Sequence, residues 1–156
     1  GSDHLTLGLS TAFAGSNKFF GERLIAEVGM SGSSISWNLG LGCAVKHNDT
    51  GVGLVASANL RFNSWSKPSL FPTIGVTFQN YWGGKDGALP FWIVALEPGF
   101  EWQFHRFNHG TISLQLFVQL GLFVGDSDFM DGAVVRTKTD ILFSGGGGIG
   151  LGFKFW

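Results

Sequence analysis

From Leu5 onward the chain alternates, residue by residue, between bulky apolar side chains and small or polar ones. A period of two puts alternate side chains on opposite faces of an extended strand, so each alternating stretch reads as a β-strand with one greasy face and one slender face. The last residues, GGGIGLGFKFW, show this most sharply. Ile149, Leu151, Phe153 and Phe155 share one face, and Gly148, Gly150, Gly152 and Lys154 share the other.

Seven more stretches repeat the pattern: Leu5–Phe13, Arg23–Met30, Ser34–Lys46, Val52–Asn63, Thr73–Trp82, Trp92–His105 and Ile112–Val124. Turn-forming residues separate them near 15–18, 31–33, 47–51, 64–71, 83–90 and 106–110, and the longest loop is expected at about 125–140. Pro98 weakens the sixth strand because it has no N–H to give to a ladder. No helix is required. Residues 1–156 then form a single domain, with 1–4 a flexible N-terminus in which Gly1-Ser2 reads as a cleavage scar. Eight strands in sequential order with short connections predict an all-β fold, an eight-stranded antiparallel up-and-down barrel, which closes without exposed edges.

Either face can line such a barrel, and composition decides between them. Charged residues are only 13% of the chain, while 25 glycines accompany 16 Phe, six Trp and one Tyr. A coat of glycine and serine with so few charges is a poor water-facing surface. The lumen of an eight-stranded barrel, in contrast, has room only for modest side chains. The slender set therefore points inward and the apolar set outward into lipid, making the barrel transmembrane. The runner-up is a soluble barrel binding an apolar ligand in a lumen lined by Leu39, Leu41, Leu116 and Leu120. The formal charge of −1 gives no electrostatic basis for nucleic-acid binding. Cys43, alone of its kind and on the apolar face, reads as a small hydrophobe with no disulfide or cysteine-rich metal site to join.

Isolated charges stand in the slender set at Arg23, Glu27, Lys46, Arg61, Glu97, Glu101 and Lys154. In a dry lumen they must pair, which predicts a network of salt bridges that plugs the barrel; if hydrated, they line a narrow channel. The tryptophans sit toward strand ends, Trp82 and Trp92 near one rim and Trp37, Trp65, Trp102 and Trp156 near the other, as two membrane-interface girdles.

The terminal GFKFW resembles the last strand of bacterial outer-membrane β-barrels, and the whole chain resembles the small eight-stranded barrels of the OmpA, OmpX and OmpW type. The resemblance implies residence in the bacterial outer membrane, contact with its lipid and lipopolysaccharide, and a monomeric state. It also implies that Phe153, Phe155 and Trp156 serve as the signal read by the barrel assembly machinery, with Trp156 where most members end on Phe. Insertion with the N-terminus in the periplasm would put the 125–140 connection outside. A structural or surface-interaction role with no cofactor is then expected, the alternatives being a narrow channel or a lateral conduit for small hydrophobic molecules.

Two further constellations bear on chemistry. Asp126, Asp128 and Asp131 in GDSDFMDG suggest a metal loop, but the spacing does not fit an EF-hand, and a solvated acidic loop is the plainer reading. Arg136 and Lys138 in the same segment are placed to meet lipopolysaccharide phosphates. A lipid A-modifying enzyme of the deacylase type carries a His-x-Ser pair; here His4, His47, His105 and His109 precede Thr6, Asp49, Phe107 and Thr111. His105 and Glu101 are expected on one face but stand four residues apart, roughly 13 Å along a strand, too far for a direct hydrogen bond. The sequon NDT at 48–50 is expected to be only a turn.

Overall fold

The structure is a computed structural model that describes residues 3–16, 20–46, 51–64, 69–82 and 91–156. Eight strands run in order: β1 (His4–Ser16), β2 (Phe20–Ser31), β3 (Ile35–Lys46), β4 (Gly51–Phe62), β5 (Leu70–Trp82), β6 (Phe91–Phe107), β7 (Gly110–Asp131) and β8 (Val134–Phe155). Each pairs antiparallel with the next, and β8 returns to β1 with Phe155 opposite Leu7 and Gly146 opposite Ser16. The result is a closed barrel. An even strand count brings both chain ends to one rim, here called the terminal rim; the β7–β8 hairpin marks the distal rim. Trp65, the 48–50 sequon and the 83–90 connection lie outside the described residues. His4, expected in a flexible N-terminus, instead opens β1 opposite Ser31.

The alternation maps directly onto the wall. Thr6, Ser10, Ala12 and Ala14 of β1 are buried inside, whereas Leu5, Leu7, Leu9 and Phe13 face out. Leu39, Leu41, Leu116 and Leu120 are 52%, 72%, 52% and 53% exposed on the outer surface. These are the side chains expected to line the lumen of a soluble barrel, and the structure puts them on the opposite face. Cys43 lies on the same outer face. Outward tryptophans Trp37 and Trp102 stand toward the terminal rim and Trp92 toward the distal one, with Trp82 at the distal end of β5.

Three local departures from plain alternation matter. First, the stretch expected as the longest loop is paired strand: β7 and β8 remain in register from Gly110 opposite Phe155 to Asp131 opposite Val134. Phe129, Met130, Val134 and Val135 sustain strand propensity through the acidic residues. A two-residue turn suffices because Gly132 takes φ 66° at the first central position, the geometry of a type II′ hairpin. Among the described residues β6 pairs with β7 as far as Gly125 and β1 with β8 as far as Gly146, and beyond these positions β7 and β8 continue paired with each other as a two-stranded ribbon.

Second, β6 carries one extra residue against β7. The register passes from Gln103 opposite Ser113 to His105 opposite Ile112, a bulge that re-aims the end of the strand. His105 thereby falls in the outward register of Ile112, not on the face of Glu101 as the alternation suggests. Third, the β6–β7 ladder stops after Leu96–Leu120 and resumes in the same register at Gly99–Phe117. Pro98 sits in this gap yet does not end the strand, because its other neighbour, Ile74 of β5, is still paired with it.

Candidate functional site: the barrel lumen

The inward face divides the lumen into strata. Toward the distal rim it is apolar and tightly filled by Ile25, Ala44, Val55, Tyr81, Ile93 and Ala95, with Phe123 packed against them. Gly40 makes this possible, since a Cβ there would collide with Ile25 and Ser57. Tyr81 takes its hydroxyl out of the apolar stratum by donating to Gln79 Oε1 at 2.6 Å. Lys46 is buried at the distal end of β3, between Gly21 and Gly51 in the two ladders.

Below lies the first charged layer. Arg23 of β2 reaches Glu97 of β6 on the opposite wall, with Nη1 donating to Oε2 at 2.8 Å and Nη2 to Oε1 at 2.6 Å. This two-pronged geometry matches the planar guanidinium to the planar carboxylate. Thr77 Oγ1 and Gln119 Nε2 also donate to Glu97 Oε2, at 3.1 and 2.9 Å. The Arg23 guanidinium lies 4.9 Å from the ring centre of Phe117, and Phe117 in turn occupies space that any Cβ at Gly148 would take.

Four strand residues further along β6, Glu101 organises a second layer. Arg61 Nη1 of β4 donates to Glu101 Oε2 at 2.8 Å, Ser113 Oγ of β7 donates to Oε1 at 3.0 Å, and Lys154 Nζ of β8 stands 3.7 Å from Oε1. Arg61 also donates through Nε to Asn63 Oδ1 at 2.8 Å and through Nη2 to Ser36 Oγ at 3.2 Å, and it lies over the Phe71 ring. The two layers share a plan: a buried glutamate on β6 receives an arginine from a strand that is not its neighbour, and an aromatic face supports the arginine. Glu27 is handled differently. It accepts Ser10 Oγ at 2.8 Å and shares with Lys154 the room left over Gly8.

Between the layers is a cavity of about 60 Å³, bordered by Arg23, Glu27, Asn38 and Glu97, where Asn38 Oδ1 lacks a protein partner. It is large enough for water and too small for an ordinary organic ligand. The terminal mouth widens to about 170 Å³ among Arg61, Arg106, Lys154 and Trp156.

Of the residues singled out from sequence, the structure brings Arg23 and Glu97 together, and Arg61, Glu101 and Lys154 together. Asp126 and Asp128 stand opposite Thr139 and Thr137 in the hairpin ladder, and Asp131 closes it, so the segment is not the loop expected of a metal site. The His4 ring meets Trp156 at 5.1 Å and the His105 ring meets Phe107 at 4.5 Å, both as aromatic contacts. Residue pattern alone misses Phe71 and Phe117; the available signal is a large aromatic in an inward set that is otherwise small.

No protein-family model matches the chain, and no curated protein does. Among solved structures it is similar to that of Neisserial surface protein A, at 9% identity and a TM-score of 0.53, with 99% of each chain covered. The fold is that of the small outer-membrane β-barrels. At this identity the likeness concerns architecture and carries no residue roles.

The charged layers make a test of the buried pairs direct. Removing one partner strands the other charge, at a cost of about 3–5 kcal/mol, whereas replacing both with apolar groups of similar volume is far less costly. Glu97→Leu is expected to lower unfolding stability in phospholipid vesicles by that order, and Arg23→Met combined with Glu97→Leu to recover most of the loss. Urea unfolding followed by tryptophan fluorescence reads both; equal losses in single and double variants would refute the pairing.

Proposed function

We propose that the protein is an integral outer-membrane barrel, plugged by its own side chains, with a structural or surface-interaction role and no catalytic site. One observation carries this reading: the charges of the strand midsections lie inside and are engaged there, while leucine, valine and phenylalanine cover the outside. Lipid satisfies the outer face. The inner face then needs no ligand, because Glu97 and Glu101 find their donors within the wall. The likeness to Neisserial surface protein A, an outer-membrane barrel, supports the location and is compatible with a non-enzymatic role.

In this reading outward Trp37, Trp92 and Trp102 belong to the interfacial girdles, the distal hairpin lies on the cell exterior, and the protein acts as a monomer in contact with lipid and lipopolysaccharide. Arg136 is exposed near the tip of the hairpin, and in this reading it is a rim contact for lipopolysaccharide phosphate. Phe153, Phe155 and Trp156 serve as the assembly signal at the terminal rim.

A plugged lumen predicts electrical silence: planar-bilayer recordings of the reconstituted protein should show no stable conductance steps. Large discrete openings would instead establish the channel alternative. Deletion of Phe155 and Trp156 should reduce the inserted fraction in cells several-fold while leaving refolding in detergent largely intact. Unchanged insertion would mean that these aromatics are ordinary packing residues.

A further inference from the structure

The gap in the β6–β7 ladder coincides with a groove of about 510 Å³ on the outer wall, larger than either lumen cavity. Its lips are Pro98, Phe100, Leu116 and Val118, and its deeper surface is formed by Thr73, Gly99, Phe117 and Gly148. Phe100, Leu116 and Val118 are about half exposed on the outer face, so whatever surrounds the barrel enters this groove. Gly99 and Phe117 register inward, which means that the groove cuts into the wall instead of lying on it.

The gap has a chemical logic in hydrocarbon. A backbone group left unpaired there costs several kcal/mol, and Pro98 brings no N–H that would need a partner. On the inner side Gln119 Nε2 donates to Glu97 Oε2 across the interrupted positions, so side chains hold β6 and β7 together where the ladder does not. The floor is a single side chain thick. Phe117, Phe100 and Leu116 border both this groove and the lumen cavity, and the Phe117 ring is fixed by its seat over bare Gly148 and by the Arg23 guanidinium above it.

We propose that this groove is a binding seat for one acyl chain of a surrounding lipid, with Phe117 as the stop that keeps the chain out of the lumen. The setting selects the occupant: apart from Thr73 the side chains lining the groove are apolar, and the entrance opens sideways within the outward hydrophobic band. The inference rests on the membrane reading of the barrel and goes beyond it by naming a lipid site.

Photolabelling tests it. The full chain is reconstituted in phosphatidylcholine vesicles containing a phosphatidylcholine with a diazirine at the end of one acyl chain, irradiated, and its adducts mapped by mass spectrometry. Adducts are expected on Phe117 or Gly99 as well as on Leu41, an outward residue far from the groove. Val118→Trp and the milder Val118→Phe fill the entrance, and each should reduce the Phe117 and Gly99 adducts several-fold relative to Leu41. Labelling of Leu41 and Leu116 without Phe117 or Gly99 would overturn the seat. So would Phe117 labelling that neither variant reduces, because the chain would then arrive by another route. Absence of labelling even at Leu41 would instead contradict the membrane reading on which the proposal stands.

Discussion

In hydrocarbon a strand has no water to satisfy its backbone, so every N–H and C=O must find a partner within the protein. Closure of β8 onto β1 meets that requirement for this chain, and the rest of the architecture depends on it. A closed ring of eight strands encloses a narrow space. That space admits only a slender inward face, which is why glycine, serine and alanine fill one of the two alternating sets. The same closure leaves the bulky set nowhere to go but outward.

Confinement also governs the charges. Glu97 and Glu101 lie on one strand, and their arginines come from β2 and β4, so each ion pair ties together strands that share no ladder. Such pairs are costly to bury and more costly to break, which makes them better suited to fixing one arrangement of the lumen than to adding net stability. The aromatic supports beneath Arg23 and Arg61 serve the same end, since they fill volume that water would otherwise occupy. Where the wall itself loosens, at Pro98, a lumen side-chain bond from Gln119 spans the gap. Lumen chemistry and wall continuity are therefore linked at Glu97, which serves both.

Much of this is legible in the residues. Strand count, inward set and barrel closure derive from a period that one face of each strand obeys strictly, as in Ile35–Lys46. The 125–140 segment defeats the same reasoning because aspartates and lysine mark loops on average, whereas here Gly132 turns the chain in two residues and the β7–β8 backbone ladder runs through the acidic positions. Alternation puts His105 on the face of Glu101 because one extra residue in β6 leaves no trace in composition. Which glutamate meets which arginine is likewise beyond reach: the partners are separated by 74 and 40 positions, and only the ring geometry brings them together.

The central claim is that the apolar face meets lipid and the slender face is inside. A nitroxide attached to Leu39→Cys, in a Cys43→Ser background and in phospholipid vesicles, tests it most directly, because Leu39 is mid-strand and 52% exposed. Power-saturation measurements should show strong relaxation by oxygen, which dissolves in the bilayer, and little by a water-soluble nickel chelate. Strong relaxation by the nickel chelate would place this face in water and contradict the account.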